Sequence, residues 1–260
     1  MRLALGISYN GQAYEGWQSQ PSGRTVQDRL EHALTQFAVQ PVTTVCAGRT
    51  DAGVHGLMQV VHFDTTRERD DFSWVRGTNR FLPPDIAVQW AQRVPDAFHS
   101  RACATARCYA YVVLESPVRP SVDAGRVGWV FRALDGAAMQ EAASLLIGRH
   151  DFTSFRASAC QAKSPIKTIS RAEISRRGAY WRFEFQADAF LHHMIRNIMG
   201  CLLQVGQGHQ EPQWMGQVLA ARDRDAAAPT FSPDGLYFLG PVYGPEWNLP
   251  SRTAAYDWLP

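Results

Sequence analysis

Apolar and polar positions alternate at the start of the chain. Leu3, Leu5, Ile7 and Tyr9 share one side, the pattern of a half-buried strand. A Gly/Pro/Ser-rich loop over residues 11–23 leads to Thr25-Val-Gln-Asp28, a capping hydroxyl with an acid three positions on. Val26, Leu30, Ala33, Leu34 and Phe37 then recur at helical spacing. Strands are predicted over 42–47 and 57–63, bridged by a polar segment over 48–56. A helix over 71–82 is stopped by Pro83-Pro84, and a strand covers 86–94.

The second part of the chain has a similar order. A strand over 107–114 puts Tyr109, Tyr111 and Val113 on one face and Cys108, Ala110, Val112 and Leu114 on the other. A helix over 135–147 is closed by Gly148. Strands over 169–174 and 180–188 precede a long helix over 190–205, a shorter one over 213–221 and a last strand over 235–243. No sequence repeat links the halves, yet their element order is alike. The pattern predicts an α+β fold: two similar domains, 1–105 and 106–260, with a mostly antiparallel sheet flanked by helices.

At 260 residues and 45% hydrophobic content, the chain is long and apolar enough to bury a core. The longest stretch without Asp, Glu, Lys or Arg is the 17 residues 32–48, followed by the 14 residues after Arg196, both short of a membrane span. The start has no secretion-signal core, so the expected place is the cytoplasm. Five cysteines, an odd number with no Cys-x-x-Cys pair, argue for reduced thiols over a disulfide framework or structural zinc. Net charge is only +2, but residues 149–182 hold eight bases against Asp151 and Glu173. A local excess of +6 on a near-neutral protein suits a polyanion bound at a defined place.

Two stretches carry candidate chemistry. Ala47-Gly-Arg-Thr-Asp-Ala-Gly-Val-His55 is a loop between strands whose glycines allow a close approach. It presents Arg49 and Asp51 from a rigid support, although a plain strand connection with a solvated acid is an equal reading. In Asp188-Ala-Phe-Leu-His-His-Met-Ile-Arg196-Asn, helical spacing puts His192 and Arg196 on one face and turns His192 away from His193. Arg196 is either a surface cation or the partner that keeps a buried carboxylate ionised. His55, His62, His192, His193 and Asp51 lack metal-ligand spacing, and no metal is expected. Tyr109 and Tyr111 are core residues or an aromatic platform for a base.

Taken together, the Asp51 segment resembles the signature loop of tRNA pseudouridine synthases of the TruA type. So do Asn79-Arg-Phe-Leu-Pro-Pro-Asp85, Phe98-His-Ser-Arg101 with Ala104-Thr-Ala-Arg-Cys-Tyr109, His150-Asp-Phe-Thr-Ser-Phe155, Phe190-Leu-His-His-Met-Ile-Arg196-Asn and Gly235-Leu-Tyr237, all in the family's order. The resemblance implies a pseudouridine synthase-like fold. It also implies a homodimer without metal or organic cofactor, converting uridines 38, 39 and 40 of the tRNA anticodon arm. By motif, Asp51 is the essential acid, Arg196 its ion-pair partner and Arg49 a help in displacing the base. Tyr109 stacks on the uracil, and Arg101, Arg107 and Leu236 join the substrate site. Cys108 stands where the family commonly has a base. Two alternatives remain on the residues alone: a non-catalytic RNA-binding module, or a nucleoside or glycoside hydrolase using Asp51 and Asp188.

Overall fold

Within residues 1–250, which the computed structural model describes, strand β1 (Arg2–Tyr9) forms where the alternation begins. Residues 251–260, the end of the expected second domain, lie outside them. β1 runs antiparallel to both β3 (His55–Asp64) and β4 (Ile86–Val94). It is buried on both faces, not one. Leu3, Leu5 and Ile7 pack with Val26, Leu30 and Leu34 of α1 (Val26–Ala38) and with Trp74 of α2 (Asp71–Asn79). Ala4 meets Val60, Val94 and Phe98 on the other side. Ala4 and Gly6 are too small to register as an apolar face, which is why the strand reads as half-exposed. At Gly6 a Cβ would come 2.1 Å from Nε1 of Trp90.

The predicted start of α1 is observed in full: the Thr25 hydroxyl accepts from the Asp28 N–H and the Asp28 carboxylate from the Thr25 N–H. α2 stops at Asn79, earlier than predicted, and the Asn79 carboxamide turns to clamp the N–H and C=O of Val88 on β4. β2 is only Val45–Cys46, paired antiparallel to β3.

The described chain divides into two units, one of Met1–Arg107 with the chain from Tyr237, the other of Cys108–Leu236. The boundaries fall inside β5 (Ala104–Glu115) and at the first residue of β10 (Leu236–Tyr243). In the first unit the strand order is β4-β1-β3-β10, with Tyr237 of β10 parallel to His55 of β3. The sequence reading keeps β10 with the later residues, because alternation within a strand does not specify its partner.

The second unit contains β6 (Gly128–Val130), α3 (Gly136–Ser144), β7 (Gly148–Asp151), β8 (Ile166–Arg177), β9 (Tyr180–Ala187), α4 (Met194–Gly206) and α5 (Trp214–Ala221). Its strand order is β5-β9-β8-β7, with β6 parallel to β5. β7 with β8 and β8 with β9 are antiparallel. Gly148, at φ +110, opens β7 instead of closing α3.

α4 begins four residues later than the periodicity suggests. The His192 carbonyl accepts from the Ala157 N–H and the His192 N–H points at the Cys160 thiol, so that backbone cannot join the helix. His193 takes the left-handed conformation, φ 60, just before Met194. Hence His192 and Arg196 do not share a helix face. The two histidine rings do not diverge either; they lie 3.9 Å apart.

Candidate functional site

The Asp51 loop is braced from several sides within the first unit. Arg107, on β5, donates to the carbonyls of Ala47 (3.2 Å), Arg101 (2.7 Å) and Ala104 (3.1 Å). Gln59 of β3, fully buried, donates to the Gly48 carbonyl at 2.5 Å and accepts the Gly48 N–H at 3.4 Å. Thr50 is buried, with its hydroxyl 2.8 Å from that of Tyr9 and its carbonyl accepting the Trp17 N–H at 3.0 Å. Beyond Asp51, the Val54 N–H closes a turn onto the Asp51 carbonyl at 3.2 Å, with Gly53 at φ +80. His55 accepts the Gly11 N–H at Nδ1 and stacks on Tyr237 at 4.7 Å.

A loop held by so many independent bonds has little freedom, which is what a reactive side chain needs from its support. Asp51 itself is half-buried and Arg49 exposed. Arg101 is also exposed, and its guanidinium reaches the Cys46 sulfur at 3.7 Å.

Tyr109, Arg196 and Leu236 belong to the second unit. Tyr109 is buried on β5 with its ring edge-on to Phe190, centroids 5.2 Å apart. Arg196 exchanges bonds with Phe231: its Nε donates to the Phe231 carbonyl at 2.9 Å, and its own carbonyl accepts the Phe231 N–H at 3.1 Å. The adjoining Ser232 carbonyl takes the hydroxyl of Tyr111. Burial pushes that phenol well above its ordinary range, while the Arg196 charge opposes the rise.

Further along, the Gly235 carbonyl accepts the Val112 N–H at 2.9 Å. Gly235 lies at φ +85, where a Cβ would come 2.2 Å from the Val112 carbonyl oxygen. Leu236 is buried immediately after it. One segment, residues 231–236, therefore fixes the strand of Tyr109, the helix of Arg196 and Leu236 itself.

The aromatic pair of β5 thus divides. Tyr111 is a core residue tied by its hydroxyl, and Tyr109 is packed edge-on. Cys108, in the position commonly basic, points its thiol at the Gln186 side chain of β9. The stretch from His150 to Phe155 is structural: Phe152 and Phe155 are fully buried and the Ser154 hydroxyl donates to the Val218 carbonyl. Asp188 accepts the N–H groups of Thr168 and Ala189, as a turn cap does.

The basic run is less positive than its count suggests. Arg171 pairs with Glu173 (2.6 Å) and Glu184 (3.1 Å), Arg182 with Glu184 (2.7 Å) and Arg176 with Glu115 (3.0 Å). Glu184 lies just past the counted residues and Glu115 far before them, so a window along the sequence misses both. Arg156 and Lys167 donate to backbone carbonyls.

Tyr9, Thr50 and Gln59 are the loop supports that the sequence reading does not single out. The available signal is Gln59, a polar side chain amid the apolar run of β3.

Comparison with known proteins bears directly on this arrangement. The family described as tRNA pseudouridine synthase matches residues 7–101 and 142–244. The chain is 73% identical to tRNA pseudouridine synthase A of Acidovorax ebreus, 74% to that of Polaromonas naphthalenivorans and 71% to that of Delftia acidovorans, each over the whole of both chains. No described helix is long and apolar enough to cross a membrane.

Proposed function

Because the chain belongs to the tRNA pseudouridine synthase family, we propose that it isomerises uridines 38, 39 and 40 of the tRNA anticodon arm, with Asp51 as the reactive carboxylate. The observation that carries this reading is the Asp51 loop, fixed through Ala47, Gly48 and Thr50 while Asp51 stays at the half-buried level.

The reaction breaks the bond from sugar C1′ to uracil N1, turns the base and joins C1′ to C5. The proton on C5 leaves and N1 gains one, so nothing is oxidised and no redox cofactor is called for. The target base must first be extruded, at a cost of a few kcal/mol. Asp51 then attacks the sugar or the base, or takes a sugar proton. Arg196 is assigned as the guanidinium that keeps Asp51 ionised, and Arg49 as the group that helps displace the base. Tyr109 is assigned the stack on the uracil, a contact worth about 1–3 kcal/mol, and stands as a candidate to receive the C5 proton. Arg101, Arg107 and Leu236 complete the substrate site. Phosphates and 2′-hydroxyls of the folded RNA give the remaining grip.

The reading extends to a cytoplasmic homodimer. On the second unit Val118, Val122, Trp129 and Phe131 are exposed, with the Trp129 and Phe131 rings 6.2 Å apart, and such apolar surface supports a second copy.

Purified protein with an unmodified tRNA transcript is expected to yield pseudouridine at these positions, and Asp51→Ala to abolish it. Product formed by Asp51→Ala would refute the assignment. Free uracil in place of retained uracil would favour hydrolysis, and tRNA binding by wild-type protein without product a chaperone.

A further inference from the structure

The structure assigns Tyr9 a role in the chemistry that it performs without touching substrate: we infer that its hydroxyl, through Thr50, positions the Asp51 carboxylate. The inference rests on the reading of Asp51 above.

Tyr9 ends β1, and the register against β3 slips between Ile7 and Tyr9. Such irregularities re-aim a side chain relative to the rest of its strand. The ring then has no freedom of its own. It packs on Trp17 with centroids 5.6 Å apart and lies against Gly56, where a Cβ would come 2.4 Å from the ring. The hydroxyl emerges from this socket 2.8 Å from the Thr50 hydroxyl, and both residues are buried, at 4% and 7% exposure.

Thr50 is the residue immediately before Asp51. With its hydroxyl on Tyr9 and its carbonyl on the Trp17 N–H at 3.0 Å, both side chain and peptide plane are fixed. Any rotation of the Thr50–Asp51 peptide that would swing the carboxylate must break one of these bonds inside the protein, away from water. A neutral hydrogen bond adds only about 1 kcal/mol to folding. The same bond acts with far more leverage on a reaction, since misplacing a reacting group by about 1 Å can cost about 100-fold in rate. A group with a small effect on stability and a large one on turnover is a positioning residue.

The test uses full-length protein and intact tRNA. Tyr9→Phe keeps the ring and deletes the hydroxyl, and Thr50→Val deletes the other partner. Each is expected to lower kcat about 10- to 100-fold, with KM for tRNA within about twofold of wild type and a melting point within a few degrees. Because both remove the Tyr9–Thr50 bond and Tyr9→Phe also releases Gln59, the double variant should be no slower than the slower single one. Thr50→Ser, which restores a hydroxyl, should recover most of the kcat that Thr50→Val loses. Asp51→Asn, run alongside, reports on the underlying reading. If Asp51→Asn is inactive while Tyr9→Phe turns over within twofold of wild type, the positioning role is overturned and the function stands. Multiplying losses in the double variant, or a Thr50→Ser as slow as Thr50→Val, would overturn it too. An active Asp51→Asn would overturn the function itself.

Discussion

Gly16 offers a direct measure of how much the Asp51 loop depends on what lies beneath it. Its φ is +88, and a Cβ there would sit 2.7 Å from the Thr50 carbonyl oxygen, 3.1 Å from the Asp51 carbonyl carbon and 3.2 Å from the Ala52 nitrogen. Replacing Gly16 by Ala therefore has two separable consequences. The left-handed backbone becomes strained, at about 1–3 kcal/mol, and each kcal/mol lowers the melting point of a chain this size by about 2–4 °C. In addition, the loop backbone must retreat by about 0.7 Å to reach ordinary contact at 3.4 Å. Displacement on that scale is expected to slow turnover about 10- to 100-fold.

Gly23 isolates the first effect. It also has a positive φ, +65, but nothing within 4 Å of the added carbon. Gly23→Ala should lose melting temperature comparably and keep kcat within twofold. The assay is tritium release from C5 of labelled uridine in tRNA at saturating substrate, beside thermal melts of both variants. Equal kcat for Gly16→Ala and wild type would refute the argument that the loop is supported from this side.

Three further outcomes are expected. Glu184 holds Arg171 at 3.1 Å and Arg182 at 2.7 Å; Glu184→Gln should free positive charge and tighten tRNA binding about two- to fivefold at low salt, with a steeper salt dependence in filter binding. Unchanged binding would show that this strand face does not meet RNA. The His62 imidazole is pushed down to about 4, first by burial and then by Arg2 and His99. A base whose folded pKa is depressed gives stability that is present above the ordinary 6.5 and lost as pH falls towards 4, here at most about 3 kcal/mol. Chemical denaturation at pH 7.5, 5.5 and 4.5 should show that loss in wild type and a flatter profile in His62→Asn. Asn197, buried on α4, donates to the Phe155 carbonyl and accepts from Thr230 and Arg224; Asn197→Leu removes all three bonds and should cost about 2–4 kcal/mol in urea melts.

Local chemistry was legible in the sequence where a signal lies within a few residues. The Thr25–Asp28 capping box and the spacing of Val26, Leu30 and Leu34 define α1 from its own positions. The two glycines and the acid of the Asp51 loop mark it as unusual before any fold is known. What stayed hidden depends on partners distant in the chain. Nothing near Tyr9 announces Thr50, forty-one positions on. Ala4 and Gly6 conceal the second buried face of β1, and the charge of Arg176 is answered from Glu115. The start of α4 was misplaced because the bonds that stop it come from Ala157 and Cys160, outside the periodic stretch. Leu191 and His193 continue the apolar and polar rhythm although their backbone has left the helix.

The parallel pairing of Tyr237 with His55 sets a timetable for the newborn enzyme. Most of the first unit is translated early, but the strand on which His55 rests is made 182 residues after it. Closing so long a span is slow compared with pairing neighbouring strands. Until it closes, the residue after Val54 lacks its stacking partner, and the Asp51 loop hangs on an unfinished frame.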